Sequence, residues 1–215
     1  NYRVLPKKGR KFNAIMREII TDARNHGYAN IGVIMIDEII LNKKFRSILQ
    51  KVLEGKPKDC GVIGFCHKIL PVQRLEWSRL EPNYEDYLTL YDDVQDADPG
   101  KIHEHWKYHG IMEGRPPFIQ CEKSPRGIES KYGFILTESA IERLAEMLSG
   151  RNDAGSQSTV GGGTFNHQND ILKDYQRHYG NGYYTVPNLS IEKESTTKQI
   201  MKICTANRWY ANFFL

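Results

Sequence analysis

Apolar residues recur at helical spacing over Ala14–Asn25, where Ala14, Ile15, Ile19, Ile20 and Ala23 share one stripe. Gly27 follows where a helix-ending glycine belongs. The period then changes. Ile31–Leu41 is an apolar, β-branched run whose only charges are Asp37 and Glu38, and it predicts a buried strand that runs out into a loop. Phe45–Leu53 returns to helical spacing, with Phe45, Ile48, Leu49, Val52 and Leu53 on one side, and Cys60–Cys66 reads as a second short buried strand. Helix, strand, helix, strand predicts an α/β layered domain with a mixed, largely parallel sheet of about five to seven strands, flanked by helices. Ile31–Ile36 and Cys60–Phe65 are expected as neighbouring interior strands.

The stretch from Leu70 to Pro117 breaks this alternation. Tyr84–Val94 and Ile102–His109 read as two short helices around the turn Asp96-Ala97-Asp98-Pro99-Gly100. We read residues 70–117 as a helical insertion lying on the body of a single domain, 1–215. The body resumes with a strand at Tyr132–Thr137 and a helix at Ala140–Leu148, capped by Thr137 or Ser139 and ended by Gly150. Arg151–Thr164 is rich in Gly, Ser and Asn and predicts a mobile loop. Asn169–Tyr179 reads as helix and Tyr183–Val186 as strand, before a polar Ser190–Ile200 and an aromatic tail, Met201–Leu215.

Composition narrows the class. The chain has 215 residues, 40% apolar and 26% charged, enough for a sizeable core. Mean hydropathy is −0.57, and no window approaches the roughly 20 apolar residues of a membrane span. The basic, polar start is not a signal peptide, and the missing initiator Met is what a fragment of a longer protein would show. The net charge of +4 is compatible with a phosphate-bearing ligand; the short basic run at Lys7–Lys11 stands beside no nucleic-acid motif. Cys60, Cys66, Cys121 and Cys204 form no C-x-x-C pair, so the chain reads as reduced and intracellular, in the cytoplasm or, for a viral protein, the host-cell cytoplasm.

Two carboxylates at the end of a buried strand are the first candidate chemistry. Asp37 and Glu38 would hold Mn²⁺ or Mg²⁺ against a diphosphate, because these cations favour oxygen ligands and neutralise leaving-group charge. The alternative is that the pair simply opens an exposed loop.

The residues around that pair carry a resemblance. Asn25, Gly27 and Tyr28, then the strand ending Ile36-Asp37-Glu38 and the aliphatic Ile39-Ile40, resemble a segment of the family 25 glycosyltransferases and their viral and bacterial relatives. There a helix ending Asn-Gly-Tyr precedes a strand ending Glu-Asp-Asp. Tyr132–Thr137 with Ala140–Leu144 is similar to that family's later strand–helix unit. Asp170-Ile171 and Tyr184–Leu189 are similar to its acceptor-side segment and the strand after it. The resemblance implies a GT-A-like fold and transfer of a sugar from a nucleotide-sugar donor to a hydroxyl on a glycan or glycoprotein acceptor. It implies Asp37 and Glu38 as metal ligands, with Asp37 also a substrate contact, and Asp170 as the acceptor-side acid and candidate catalytic base; Asp170 alternatively is only a first-turn acid favoured by the helix dipole. His167 and Asn169, directly after the Gly-rich loop, are further candidate substrate contacts. Ile36 stands where the family has its first acid, and the family's first nucleotide-binding strand would lie before Asn1. Both departures favour an alternative, a catalytically inactive glycan-binding or assembly module of the same fold.

Three further motifs stay open. Tyr87, Tyr91, Asp93 and Val94 with His105, Trp106, His109, Gly110, Gly114 and Arg115 resemble a two-helix module found beside glycosyltransferase and polysaccharide-related domains. His105 and His109, four apart, are either metal ligands or caps on a mini-core of Tyr87, Tyr91, Val94, Ile102, Trp106 and Ile111, with Gly110 and Gly114 ending the helix. Trp77 and Trp106 are candidate sugar-stacking rings. Gly161-Gly162-Gly163 reads as a phosphate cradle or as a lid, and His167 and His178 are candidate third contacts for metal or diphosphate.

Overall fold

A computed structural model describes residues 5, 12–66, 76–124, 132–149 and 170–192. The first helix, α1 (Phe12–His26), buries Phe12, Met16, Ile20 and Ala23 along one side. Burying Met16 and Ile20 contributes roughly 2 kcal/mol each. That exceeds the differences in helix propensity along the segment, which stay below about 0.7 kcal/mol per residue. Packing therefore fixes this helix more than intrinsic preference does. Gly27 ends it at φ +64°, the left-handed conformation that a side chain would oppose.

The chain continues through β1 (Asn30–Ile34), a turn at 36–38, β2 (Ile39–Leu41), α2 (Phe45–Gly55) and β3 (Val62–Gly64). The helical stretch holds α3 (Tyr84–Leu90), a 3-10 turn (Asp92–Val94) and α4 (Pro99–His105). A π-helical turn (Trp106–Gly110) and α5 (Ile111–Glu113) extend α4 without a break. Then come β4 (Gln120–Lys123), β5 (Gly133–Thr137), α6 (Glu138–Ser149), α7 (Asp170–Tyr179), β6 (Gly182–Val186) and β7 (Ser190–Glu192).

Five strands form a mixed sheet in the order β1-β5-β3-β6-β4, and β2 pairs with β7 in a second, two-stranded sheet. The α/β class expected from the sequence holds. The largely parallel sheet does not: β3 and β6 are parallel, while the other three pairings are antiparallel. The reason lies in the chain path. The chain leaves β3 and re-enters β5 at the same end of the sheet, with Gly64 opposite Phe134, so β5 returns in the opposite direction.

The predicted neighbours β1 and β3 are likewise separated, because β5 lies between them. The single run Ile31–Leu41 is two strands in two sheets. In β1 only Val33 is buried, which suits its place at the edge of the described sheet.

The sheet divides two apolar layers. Val62 of β3 and Phe134 and Leu136 of β5 pack with α1, α6 and α7. Ile63 of β3 and Ile135 of β5, adjacent to those residues, join the opposite layer with Ile48 and Val52 of α2. This is the period-two alternation of a strand buried on both faces. Tyr87, Leu90, Tyr91, Ile102 and Trp106 belong to that second layer. The helical stretch is thus continuous with the core on this face.

Candidate functional site

Strands β1, β3 and β6 all point one way, and the turn at 36–38 lies beyond their carboxyl ends. Met35 extends the pairing with the chain entering β5, donating its N–H to the Tyr132 carbonyl at 2.8 Å. Glu38 closes the turn with an N–H donated to the Met35 carbonyl at 3.0 Å. Beyond β2, buried Asn42 fixes the exit. Its side-chain amide donates to the Asn188 carbonyl at 3.1 Å, its backbone N–H to Leu189 at 2.9 Å, and its Oδ1 accepts from Lys44 N–H at 2.8 Å. Asn42 was not marked by the sequence reading; a turn residue directly after the aliphatic pair is the one signal it gives.

Within the turn, Asp37 is exposed, Glu38 is half-buried, and Ile36 is 70% exposed. The expectation of acids at the end of a deeply buried strand is corrected here: the pair sits on an open turn after an edge strand. Among the described residues, no group of three or more His, Cys, Asp or Glu side chains is arranged to hold a metal ion. Asp37 and Glu38 supply two hard oxygen donors, which suit Mn²⁺ or Mg²⁺ with the remaining positions filled by water or phosphate oxygens.

Asp170 opens α7, which delivers the chain to β6 at the end of the sheet opposite the acid turn. The helix has ten residues, so Asp170 starts about 15 Å of helix axis from that opposite end. His178 is exposed in the last turn of α7, at the end away from Asp170. His167, Asn169 and Gly161–Gly163 lie outside the described residues.

The Tyr/His-Trp-His-Gly motif resolves into a packing and charge network. Arg115, 6% exposed, donates to both oxygens of Asp93 at 2.9 and 2.7 Å and to Glu113 at 2.6 Å. Its guanidinium lies 4.6 Å from the centre of the Tyr91 ring. The Tyr87 hydroxyl and His105 Nδ1 are hydrogen-bonded at 3.1 Å, and His105 Nε2 lies 3.8 Å from Asp93. The bond from Tyr87 occupies Nδ1 of His105, which favours the mini-core over a metal pair. Burial, and then the nearby Arg115 charge, lower the pKa of His105. The Arg115 hydrogen bonds hold the Asp93 carboxyl below the usual carboxylate range.

Gly114 ends the helical run in the left-handed conformation, but Gly110 sits inside it, where Trp106 and Tyr87 leave no room for a β-carbon. The indoles expected to stack on sugars are buried. Trp77 donates to Glu122 at 3.0 Å and Trp106 to the Leu80 carbonyl at 3.0 Å, so neither ring offers a face to a ligand.

No helix among the described residues is long and apolar enough to cross a membrane. The chain matches no protein-family model, no curated protein and no solved structure.

Proposed function

We propose that this chain is a glycosyltransferase-like domain that binds a nucleotide sugar at its acid turn and transfers the sugar to a hydroxyl acceptor. The observation that carries the reading is the arrangement of the resembling segments. The strand leading to Asp37 and Glu38 pairs over five residues with β5, the strand of the second segment, and the third segment supplies α7 and β6 of the same layered body.

A divalent cation at the turn would neutralise the diphosphate. Asp37 and Glu38 would orient it, with Glu38 the nearer match to the family's last acid. In the transfer, the bond from the sugar anomeric carbon to phosphate oxygen breaks and a bond to the acceptor oxygen forms. The acceptor proton passes to the Asp170 carboxylate, and the diphosphate leaves with the electron pair.

One observation favours the second reading, a non-catalytic glycan-binding or assembly module: Ile36, at the position of the family's first acid, is held out in solvent and offers no ligand. Titration calorimetry of uridine and guanosine diphosphates with Mn²⁺ tests the donor site. Binding should require Mn²⁺ and weaken in Glu38→Ala. Equal affinity in the variant removes Glu38 from the site, and no Mn²⁺-dependent binding of either nucleotide overturns the donor reading. Turnover of a bound donor separates the two readings.

A further inference from the structure

Strand β1 is one edge of the five-stranded sheet, and among the described strands only β5 pairs with it. Met35 donates to the Tyr132 carbonyl, which marks a closely bonded pair of this antiparallel ladder. By the two-residue period of the ladder, Val33 and Ile31 also direct their backbone groups at β5, and Asn30, Gly32 and Ile34 turn theirs outward. The opposing strand agrees. Gly133 and Thr137, across from Ile34 and Asn30, bond instead to Phe65 and Gly61 on the β3 side. Among the described residues, nothing pairs with the outward N–H and C=O groups of Asn30, Gly32 and Ile34.

The sequence leaves this edge unguarded. Edge strands are usually protected from pairing by a charge, a proline or a bulge. The run from Tyr28 to Ile36 has no charged residue and no proline, and its ladder with β5 is regular over Asn30–Ile34. A glycine inside a strand that serves no bulge marks a close approach by another backbone. A β-carbon at Gly32 would meet nothing within 4 Å, so that approach is not filled by the described chain itself. The three outward residues are symmetric about Gly32. So are the exposed apolar side chains on either side of the strand, Tyr28 at 41% and Ile36 at 70%.

We infer that the outer edge of β1 pairs with the same edge of a second copy of this chain, antiparallel, about a two-fold axis at Gly32. Gly32 then bonds Gly32 of the other copy, Asn30 bonds Ile34 in both directions, and the two sheets become one. A two-fold interface needs a surface that complements itself. Here Tyr28 at the start of one run lies beside Ile36 at the end of the other, so apolar meets apolar. Asp37 and Glu38 come up against His26 at the end of α1, not against the acids of the other copy. An extended peptide from another protein would need none of this symmetry. A five-residue ladder with two flanking side chains covers less than the roughly 800 Å² per partner of a standard interface, so the dimer forms and parts reversibly. The inference stands whether or not the acid turn binds a donor.

Sedimentation velocity of the full chain from about 1 μM to about 1 mM tests it. The wild type should pass from monomer to dimer over this range. Gly32→Lys sets two like charges directly opposite each other and should weaken the dimer at least about tenfold, and Gly32→Glu should do the same. An equimolar mixture of these two variants should associate again, because a pairing centred on Gly32 sets lysine against glutamate. Ile34→Lys, on the same exposed face, should repeat the loss with Gly32 intact. Amide exchange gives a second readout: Gly32 and Ile34 should gain protection as concentration rises, while Val33, already bonded to β5, should not change. A wild type that stays monomeric at the highest concentration overturns the inference. So does a Gly32→Lys variant that dimerises like wild type, or a mixture that associates no better than its components.

Discussion

Arg115 reaches back twenty-two residues to grip both carboxylate oxygens of Asp93, at 2.9 and 2.7 Å, while its guanidinium covers the Tyr91 ring. This contact closes the helical stretch on itself and joins the two halves of the Tyr/His-Trp-His-Gly motif. Asp93 is half-exposed and Arg115 is buried, so the two partners are not equivalent in what their loss leaves behind.

Removing the buried cation should cost more than neutralising its partner. Arg115→Met abolishes three hydrogen bonds and strands Glu113 and Asp93 beside each other, for a loss of roughly 2–3 kcal/mol after allowing for solvent at Asp93. Asp93→Asn keeps the shape and the bond to Glu113, for about 1 kcal/mol. Urea midpoints at constant slope measure both. The reverse order would mean that the ion pair does not hold this module together.

The protonation of His105 should show in the pH profile. Burial keeps its imidazole neutral in the folded protein at pH values where the unfolded chain already takes up a proton, near 6.5. The unfolded state then binds more protons, so stability is full above that pH and falls as pH drops below it, until the folded-state pKa is reached. His105→Gln should flatten this part of the curve. Asp93 acts in a lower window: its depressed pKa gives stability that is present above the ordinary carboxylate value and lost as pH falls through the folded one. Urea midpoints between about pH 2 and about pH 8 separate the two. An unchanged slope in the Gln variant would assign the effect to another group.

Two glycines should fail for different reasons. A β-carbon at Gly110 would meet Trp106 Cε3 at 2.5 Å and the Tyr87 hydroxyl at 2.6 Å, both on buried rings, so Gly110→Ala should cost about 1–3 kcal/mol through overpacking. Gly27 has nothing within 4 Å but a φ of +64°, so Gly27→Ala should cost only about 1 kcal/mol of backbone strain. Thermal melts rank them, and a neutral Gly110→Ala would show that the two rings can part.

Placing an acid at position 36 tests the proposed cation site at the turn. Ile36 is 70% exposed, so Ile36→Glu removes little packing and adds a carboxylate beside Asp37 and Glu38. We expect Mn²⁺ affinity to rise roughly tenfold, about 1.4 kcal/mol. Calorimetry with Mn²⁺ alone measures it, and an unchanged affinity would show that the turn does not gather its acids around one point.

Asp170→Asn should lower turnover by about a hundredfold or more, the scale of a general base, while nucleotide affinity stays within twofold. Single-turnover assays with saturating donor, set against calorimetry of the same variant, measure the two effects separately. Wild-type turnover in the variant removes the base role.

The helices were legible because apolar residues recur at helical spacing, although in α1 the buried stripe is Phe12, Met16, Ile20 and Ala23, of which the sequence pattern had marked Ile20 and Ala23. Strand existence was partly legible and strand order was not. The Ile31–Leu41 run does not reveal that Ile36 faces solvent, nor that β1 and β2 join different sheets, because both facts depend on partners more than ninety residues away. The strand β4 was missed because Gln120-Cys121-Glu122-Lys123 is mostly polar, and its pairing with β6 gives it a place that periodicity does not show. The network around Arg115 was visible as a motif, but its geometry required the fold.

Because β3 is hydrogen-bonded on both sides and its adjacent residues Val62 and Ile63 anchor opposite layers, the two apolar layers cannot melt one after the other. Opening either layer strips one face of a three-residue strand that is wholly buried, and so exposes the seam of the other. The sheet and both layers therefore unfold as a single cooperative unit, and the Ile63 amide exchanges with solvent only when the whole body comes apart.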